Sequence, residues 1–529
     1  MEEHDAARLR SRLEDAVHGE VHAAPYYRAY YSVDASSYII RPDIVVVPRD
    51  AGDIVRTIGI AVEAGAAITS RGGGTGLVGG ALNSGIILDM KRMSSVRITG
   101  RTVAAEAGAT RGRLDLVLQS TGMMFAPNPS VGPFCTIGGM VASNAAGSRS
   151  LKYGCTIDNV TAITMIDGTG RRIRLPDDEE TGSRILDIAG RIDGGRFPRV
   201  SKNSSGYRLD AVASMRDTHK ALIGSEGTLG VIVSAELKTV RRPEKRRLYI
   251  LEYGSETEAA VDSARIVNAT SPVAAEFVDR VVLGNMDCEF GKSTSCLLLV
   301  EYYEGADGSG GKARGDTSCD NGRHCHHDGA GVERTESTAG TLRSITSAAS
   351  NAARSTCVTD EAEITRWWEY RDASLHYSLR DIDPDTEERV PHIIEDATVP
   401  PATLPALFAA LRAIDDKYGT RTITYGHAGN GNIHTRLVCK KGGTRHLRRI
   451  AAEYLGKIMA AGGSTTGEHG DGLARSEFVT MQYGPKNTAR FAELKNLFDP
   501  SNIMNPGKIL TNKTGILDQN LWNFLPPKT

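Results

Sequence analysis

Long apolar runs, an excess of one charge and paired cysteines are all missing from this chain of 529 residues. No apolar stretch approaches the ~18 residues that a membrane-spanning helix needs, and the N-terminus has no signal-peptide core. The 63 Lys and Arg balance the 64 Asp and Glu, so the surface lacks the basic excess of a nucleic-acid-binding protein. The eight cysteines are scattered and form no CxxC motif, which favours free thiols in a reducing cytoplasm over a disulfide framework.

Glycine is the residue in excess, at 57 of 529 positions; about 11% compares with a usual ~7%. Three glycine-rich segments lie in the first half of the chain: RGGGTGLVGG (71–80), NPSVGPFCTIGGMVASNAAGSRSLKYG (128–154) and LIGSEGTLGVI (222–232). Such segments let the backbone approach a phosphate or a flat ring closely. The first is not a Walker A loop, because no Gly-Lys-Ser/Thr follows. Three in one region favour ligand binding over purely structural turns.

Apolar runs alternate with amphipathic stretches, which predicts a mixed α/β organisation. Residues 38 to about 100 indicate strand, helix, strand, glycine-rich loop and strand, and TAITMIDGTGRRIRL (161–175) indicates a hairpin. Further on we predict a helix over 341–355 and a strand over 393–400. A polar break at 241–247 separates two domains. The predicted parts are an N-terminal helical segment (1–37), a first domain (38–242), a second domain (243–511) and a tail (512–529).

Residues 305–340 stand apart from the rest of the second domain. They contain few large apolar side chains and many Gly, Asp, Ser and Thr, a composition that cannot bury enough surface to become ordered. Cysteines and histidines are concentrated within it: Cys319, His324, Cys325, His326 and His327. A small metal site is one interpretation, but we predict a disordered insertion.

Two histidines flank a tight turn in the second domain. His427 ends one predicted strand and His434 begins the next, around AGNGN, so we expect them side by side across the ladder, ~5 Å apart. Imidazoles so placed can share a metal ion. Glu468 and His469 follow a helix and a Gly-Gly break. Two histidines and a carboxylate leave open positions on the metal, as in catalytic sites; the alternative is that the histidines make ordinary hydrogen bonds.

These motifs, in this order, resemble a known family. RGGGTG, CTIGGMVASNAAG and GSEGTLGVI are similar to the FAD-binding domain of the vanillyl-alcohol oxidase (PCMH-type) flavoproteins. GHAGNGNIH, TTGEHGDGLARSE and NPGKI resemble its D-2-hydroxyacid dehydrogenase branch, which includes D-lactate dehydrogenases, the flavin subunit of glycolate oxidase and D-2-hydroxyglutarate dehydrogenase. The resemblance implies an α+β fold, with a PCMH-type FAD-binding domain of two α/β subdomains and a C-terminal α+β substrate (cap) domain with an antiparallel sheet.

The resemblance also implies where FAD lies. The first loop should wrap the pyrophosphate, and the other two glycine-rich segments should line the flavin and the ribityl chain. The implied cofactor-binding residues are Arg71, Gly72, Gly73, Gly74, Thr75, Gly76, Pro127, Thr136, Gly138, Gly139, Ser143, Asn144, Gly147, Glu226, Gly227, Ile232 and Asn505. Relatives that tether FAD covalently often carry a His in the first loop. Because this loop has none, we expect non-covalent FAD.

In metal-dependent members of the branch, the positions that match His427, His434 and Glu468 bind a divalent ion, usually zinc, and the position of His469 is the base. The ion would chelate the hydroxyl and carboxylate of the substrate and make the hydroxyl more acidic. His469 would then take the hydroxyl proton while the α-hydrogen leaves toward the flavin.

Two arginines are the substrate-binding candidates. Arg371 matches the substrate Arg of the family, and Arg436 stands where the hydroxyglutarate enzyme has an Asn. Ile394 stands where that enzyme has a Lys, so two positions of its pocket for a second carboxylate differ here. A small or unusual D-2-hydroxyacid is therefore the substrate we expect.

Together these patterns predict an FAD-dependent dehydrogenase that oxidises a small D-2-hydroxyacid, of the D-lactate or glycolate class, and passes electrons to an acceptor other than oxygen. The alternatives are D-2-hydroxyglutarate dehydrogenase, a flavin-carrying subunit of a larger oxidoreductase, and a transferase like alkyl-dihydroxyacetone-phosphate synthase. The EHG motif after two hairpin histidines argues against the transferase. A separate iron–sulfur protein, a quinone or a cytochrome would accept the electrons. We expect a cytoplasmic protein, or one held at the membrane by its partner, and it could act as a homodimer.

Overall fold

The computed structural model shows a mixed α+β chain, which confirms the predicted fold class. It describes residues 3–100, 102–304, 345, 347–380, 382, 388–440 and 446–522. The insertion predicted at 305–340, with its cysteines and histidines, lies outside the described residues.

The secondary structure is numbered here along the chain. The strands are β1 (Glu20–His22), β2 (Ile44–Val47), β3 (Ile68–Arg71), β4 (Ile86–Asp89), β5 (Val96–Thr99), β6 (Thr102–Glu106), β7 (Met123–Met124), β8 (Val160–Asp167), β9 (Arg172–Leu175), β10 (Gly230–Lys238), β11 (Val240–Arg241), β12 (Lys245–Tyr253), β13 (Ala274–Val278), β14 (Cys296–Glu304), β15 (Arg354–Val358), β16 (Glu388–Arg389), β17 (Ala397–Thr398), β18 (Arg421–His427) and β19 (Asn432–Lys440). The α-helices are α1 (Glu3–Ala16), α2 (Pro25–Tyr30), α3 (Ala51–Ala64), α4 (Arg111–Gln119), α5 (Ile137–Ser143), α6 (Ser150–Tyr153), α7 (Thr156–Asn159), α8 (Glu179–Gly190), α9 (Glu256–Thr270), α10 (Arg280–Gly284), α11 (Glu361–Asp372), α12 (Ser374–Arg380), α13 (Leu404–Tyr418), α14 (Leu447–Ala460), α15 (Gly472–Arg475) and α16 (Val479–Phe498).

The first sheet is small and has the order β1-β2-β4-β3. Its last three strands are parallel, and β1 is antiparallel to β2. Helix α3 connects β2 to β3, as the alternating pattern predicts. It begins at Asp50, whose carboxylate accepts the Asp53 N–H, and it ends at Gly65 in the left-handed conformation. Strand β3 then leads directly into the first glycine-rich loop.

The second sheet is antiparallel, with the order β5-β6-β10-β8-β9. The hairpin predicted around Asp167 is present as β8 and β9. Helix α5, formed by the second glycine-rich segment, packs against β10. The glycine-rich segments therefore lie where the two sheets of the first half of the chain meet.

The third sheet is larger and antiparallel, with the order β15-β12-β14-β13-β18-β19-β16 and with β17 also paired to β19. Helices α9 and α13 pack together over it. Two predictions in this region were wrong in extent. Part of the helix predicted over 341–355 is strand, because β15 begins at Arg354 and pairs with β12. The strand predicted over 393–400 is reduced to β17, because Asp396 has a positive φ of 72° that interrupts extended backbone.

The end of the chain returns to the core of the first two sheets. Tyr483, Phe491 and Phe498 of α16 are buried in one cluster with residues of β8 and β10. The segment between α14 and α16, which contains Glu468 and His469, therefore crosses from the third sheet to the first core. Within the described part of the chain, no helix is both long and apolar enough to cross a membrane.

Candidate active site

One elongated cavity connects the glycine-rich segments to the histidine hairpin. Its volume is about 1550 Å³ with its opening to solvent included. One end is lined by the predicted cofactor residues Gly72, Gly73, Gly74, Thr75, Gly76, Thr136, Gly139, Ser143, Glu226 and Gly227. The other end is lined by the predicted metal, base and substrate residues His427, His434, Glu468, His469, Arg371 and Arg436. The chain thus brings both predicted sets to one space.

The first glycine-rich loop packs so closely on α5 that side chains do not fit. A Cβ on Gly72 would lie 2.1 Å from the Thr136 hydroxyl, and one on Gly73 would lie 2.5 Å from the Phe134 carbonyl. Gly76 has open space instead. Thr136 caps α5, since its hydroxyl accepts the Gly139 N–H at 3.2 Å. The result is a bare backbone wall of the kind that accommodates a pyrophosphate, so these residues fit FAD.

Other predicted cofactor residues are not part of the cavity lining: Arg71, Pro127, Gly138, Asn144, Gly147, Ile232 and Asn505. Arg71 donates to the carbonyls of Tyr31 and Val33. The Asn505 amide donates to the carbonyls of Gly80 and Glu226 at 2.9 and 2.7 Å. The side chains of Arg71 and Asn505 therefore stabilise the backbone near the cavity. For all seven residues, a direct contact with FAD stays a prediction.

The two hairpin histidines are diagonal neighbours. His427 pairs with Asn432 in the ladder, and His434 pairs with Tyr425, so the expectation that the histidines lie side by side was wrong in register. The turn is the reason, because residues 428–430 form a 3₁₀ turn and Gly431 closes it with a φ of 71°. The ring centroids are nevertheless 5.2 Å apart, since both side chains lie on the same face of the sheet.

Three imidazoles surround one oxygen of Glu468. Its Oε1 lies 3.0 Å from Nε2 of His427, 3.4 Å from Nε2 of His434 and 3.8 Å from Nε2 of His469. Asp396, His434, Glu468 and His469 each offer a ligand atom, and these atoms lie within 4.8 Å of one another. The buried Nδ1 of His434 has no hydrogen-bond partner. Nitrogen and oxygen donors at this density fit a divalent ion such as zinc.

Glu276 supports this cluster from behind and was missed by the sequence analysis. Its Oε1 lies 2.8 Å from Nδ1 of His427, and its Oε2 accepts Nε and Nη2 of Arg371 at 2.8 and 2.6 Å. Burial opposes the charge of Glu276, but His427 and Arg371 outweigh it and lower its pKa to about 2. Metal-binding histidines commonly give their other nitrogen to a carboxylate. Arg371, predicted to bind substrate, therefore also forms a buried ion pair; the only signal for Glu276 was an acid in an apolar strand.

The ring of His469 is oriented by Glu395 and Asp396. Its Nδ1 lies 2.8 Å from Glu395, while Asp396 accepts the backbone N–H groups of Glu468 and His469 at 2.9 and 2.8 Å. Burial disfavours the charged ring, but the carboxylates of Asp396 and Glu395 outweigh it and raise the pKa of His469 to about 9. The positive φ of Asp396 is backbone strain of the kind found at functional sites. Nε2 of His469 thus faces the cluster, as a base would.

Lys202 was also missed, because nothing in KNSSG suggested a site. The side chain is fully buried, and its Nζ lies 3.0 Å from Oε2 of Glu468 and 3.2 Å from the Asn432 side-chain oxygen. Neighbouring Ser204 donates to the Gly467 carbonyl at 2.8 Å. This segment frames the loop that carries Glu468.

Arg436 lies at the wall beside Tyr425. Its Nε and Nη2 donate to the Tyr425 hydroxyl at 3.2 and 3.0 Å, while Nη1 is buried without a partner. Among the described residues no carboxylate forms an ion pair with it. Since a guanidinium stays charged in proteins, Arg436 is a cation at a ligand cavity, and its charge acts on the buried carboxylate of Glu395 without a direct ion pair.

Comparisons with known proteins agree with this arrangement. A model of the FAD binding domain matches residues 42–176, and a model of the C-terminal domain of FAD linked oxidases matches residues 242–509. Glycolate oxidase subunit GlcD of Bacillus subtilis is 30% identical over 492 residues, which cover 91% of this chain and 92% of that protein. D-lactate dehydrogenase of Archaeoglobus fulgidus is 26% identical over 471 residues, covering 88% and 91%.

Two further similarities are more limited. The first covers only half of the related protein, and the second has low sequence identity. D-2-hydroxyglutarate dehydrogenase of Pseudomonas putida is 29% identical over 528 residues, covering 93% of this chain but 50% of that protein. A solved structure of alkyldihydroxyacetonephosphate synthase shares the fold, with a TM-score of 0.62 at 17% identity over 96% of this chain and 85% of that one. The matched domains and relatives establish that the chain belongs to the FAD-linked oxidases, PCMH-type flavoproteins, as its glycine-rich motifs predict.

Proposed function

We propose that this protein is an FAD-dependent dehydrogenase that oxidises a small D-2-hydroxyacid, of the D-lactate or glycolate class, to the 2-oxoacid. The observation that carries the proposal is the single cavity that joins the glycine-rich wall to the cluster of three imidazoles and Glu468. Relatives named glycolate oxidase subunit and D-lactate dehydrogenase support the substrate class. The proposed parts of this enzyme are an N-terminal helical segment (1–37), a first domain that binds FAD (38–242), a second domain that holds substrate and metal (243–511) and a tail (512–529).

FAD, when bound, supplies the two-electron oxidant. The residues of the chain provide its surroundings: the loop of Gly72–Gly76 and the N-terminus of α5 form the backbone wall for its phosphates. We propose that the cofactor is held without a covalent bond, because the first loop contains no His.

His427, His434 and Glu468 are the proposed ligands of a divalent ion, zinc. The ligand atoms that lie within 4.8 Å of one another are those of Asp396, His434, Glu468 and His469, so Asp396 and the proposed base also lie within reach of an ion bound there. His427 meets this group through Glu468, whose Oε1 lies 3.0 Å from its Nε2. Such an ion, when bound, supplies a Lewis acid for the hydroxyl and carboxylate of the substrate and favours a neutral His469 ring. Glu276 orients His427 through Nδ1, so that Nε2 faces the cluster.

His469 is the proposed base. Its Nδ1 is held by Glu395, so Nε2 is the nitrogen that faces the cluster and accepts the hydroxyl proton. The carboxylate of Glu395 stabilises the imidazolium that forms. Bound FAD would supply the acceptor for the α-hydrogen and its electron pair, and transfer of the hydroxyl proton to His469 would complete the 2-oxo group. Arg371 and Arg436 bind carboxylate oxygens of the substrate.

His469→Ala tests this assignment. We expect flavin reduction by a D-2-hydroxyacid to slow roughly 100-fold or more, since positioned acid–base catalysis contributes about that factor. FAD and metal content should change little. Anaerobic stopped-flow over a panel of hydroxyacids measures the rate, and the exposed His18→Ala serves as the control.

The same experiment separates the alternatives. Near-normal flavin reduction in His469→Ala would contradict the base role, and loss of metal would make His469 a ligand. A wild-type flavin that no hydroxyacid reduces would favour a transferase, whose fold the chain shares.

We further propose a separate electron acceptor, because the Bacillus subtilis relative is named a subunit. An iron–sulfur protein, a quinone or a cytochrome would accept electrons from the reduced flavin. The protein would work in the cytoplasm or at the membrane surface through this partner.

A second candidate substrate class rests on Arg436. Its Nη1 has no partner, and Arg436 follows His434 by two residues on the same face of β19, at a Cα distance of ~6.7 Å. A hydroxyacid whose first carboxylate lies at the His434 cluster could place a second carboxylate at this guanidinium. D-2-hydroxyglutarate and D-malate are acids of this kind.

A further inference from the structure

Three of the buried carboxylates around the histidine cluster are paired with a Lys or Arg. Glu276 lies 2.6 Å from Arg371, Glu395 lies 3.0 Å from Arg475, and Glu468 lies 3.0 Å from Lys202. Only the third pair contains a proposed metal ligand. The cation in that pair, Lys202, has no exposed surface.

The two oxygens of Glu468 have different surroundings. Oε2 accepts the Lys202 ammonium at 3.0 Å and the Gly147 N–H at 2.7 Å. Oε1 faces the ring nitrogens of His427 and His434 at 3.0 and 3.4 Å. The outer oxygen is therefore satisfied by the protein, and the inner oxygen faces the cluster.

Lys202 cannot readily move away from this position. Its Nζ also donates to the Asn432 side-chain oxygen at 3.2 Å, and the Asn432 amide in turn donates to Asp396 at 2.9 Å. Two residues after Lys202, the N–H and the hydroxyl of Ser204 donate to the carbonyls of Thr466 and Gly467 in the loop of Glu468. Folding therefore places an ammonium against the proposed ligand whether or not a metal is present.

We propose that Lys202 is a positioning residue that acts as a built-in counter-cation of the metal centre: its ammonium balances Glu468 when the metal is absent and weakens metal binding when it is present. This inference rests on the metal site of the proposed function. A buried carboxylate without a partner is strongly destabilising, so without Lys202 the fold would depend on the metal for stability. When a metal binds, it shares one carboxylate with the ammonium, and the two positive charges repel each other.

The test is Lys202→Met, which removes the charge and keeps most of the length. The metal-free variant, with FAD bound, should unfold about 5 °C or more below the metal-free wild type, since one such pair is a large fraction of a domain's stability. Zinc should raise the unfolding temperature of the variant more than that of the wild type. Its zinc affinity, measured by competition with a chelating dye, should rise at least about tenfold.

The sign of the affinity change distinguishes the two roles that Lys202 could have. Loss of a residue that only orients a ligand lowers metal affinity, commonly 10- to 100-fold, whereas loss of a counter-cation raises it. Lys202→Arg keeps the charge and should bind zinc like the wild type. Lys495→Met removes another largely buried lysine, which pairs with Asp499 at 2.5 Å in the first core; it should lower stability without changing zinc affinity.

Three results would overturn the inference. Metal-free Lys202→Met as stable as the wild type would show that Glu468 needs no counter-cation. Unchanged or weaker zinc binding in Lys202→Met would leave Lys202 a structural partner only. If the wild type itself binds no zinc, the metal centre of the proposed function is wrong, and the inference fails with it.

Discussion

The pKa of a buried carboxyl group in this protein depends on its neighbours. Glu226 is an example, and it lies between the third glycine-rich segment and the residues that follow His469. Its carboxylate accepts the backbone N–H groups of Asp471 and Gly472 at 2.6 and 2.9 Å. Burial, followed by repulsion from Asp471, raises the pKa of Glu226 to about 8.

This shift predicts a pH dependence of stability. A carboxyl group whose pKa is higher in the folded state binds its proton more tightly there, so the stability it contributes falls as pH rises from about 4.5 to about 8. Glu226→Gln, which cannot lose a proton, should show a smaller fall over this window. The measurement is the unfolding temperature of FAD-loaded protein between pH 5 and 8. Glu361→Gln, with a side chain 59% exposed, is the control; equal slopes for Glu226→Gln and wild type would contradict the prediction.

Arg436 allows a second prediction at this scale, about substrate choice. If its free Nη1 binds a second carboxylate, kcat/KM for D-2-hydroxyglutarate should exceed that for D-2-hydroxyvalerate. In Arg436→Gln this ratio should fall at least about tenfold, because removing one partner of a desolvated charge pair is worth 2–5 kcal/mol. Arg436→Lys should retain part of the ratio. A ratio near one in the wild type would restrict the enzyme to small monoacids.

Among the elements, the β18–β19 hairpin depends on its turn for the position of both histidines. Gly431 has a φ of 71°, and a Cβ there would lie 1.8 Å from the Val399 carbonyl oxygen. Val399 directly follows β17, so the turn packs against the end of that strand. The diagonal arrangement of His427 and His434 follows from this turn.

Gly431→Ala should therefore damage the metal site through the backbone. Backbone strain alone is worth roughly 1–3 kcal/mol, and the close contact adds to it. We expect a lower unfolding temperature and a lower zinc content. Gly59→Ala is the matched control: Gly59 lies inside α3 with no atom near its Cβ position, so alanine should stabilise the protein by up to ~1 kcal/mol. Normal zinc content in Gly431→Ala would show that the hairpin tolerates another turn.

At the scale of the whole molecule, the cavity depends on distant parts of the chain. The three glycine-rich segments line one part of it, the third sheet supplies the histidine hairpin, α11 supplies Arg371, and the segment before α16 supplies Glu468 and His469. The return of α16 to the first core holds these parts together. The second glycine-rich segment also contacts the histidine cluster directly, since the Gly147 N–H donates to Glu468 at 2.7 Å.

The proposed non-covalent cofactor can be tested on the intact protein. Purified protein should be yellow, and acid precipitation should release all of the flavin into the supernatant, because the first loop has no His to form a bond. The absorbance of supernatant and pellet measures this. Flavin that remains in the pellet after denaturation would contradict the prediction.

The sequence by itself determined the family, the fold class and several of the residues that line the cavity, whereas seven of the predicted cofactor residues lie outside its lining. Glycine-rich motifs and a His-x₆-His hairpin are local patterns, and local backbone demands leave a clear mark on residue choice. Only the tertiary structure decided that the histidines are diagonal, that Arg371 pairs with Glu276 and that Lys202 meets Glu468. The contacts of Arg371 with Glu276 and of Lys202 with Glu468 join residues 95 and 266 positions apart. No local sequence pattern predicts which buried charges will pair, because the pairing depends on how the sheets pack. Each of these charges needs a partner, since an unpaired charge in the interior has a high free-energy cost.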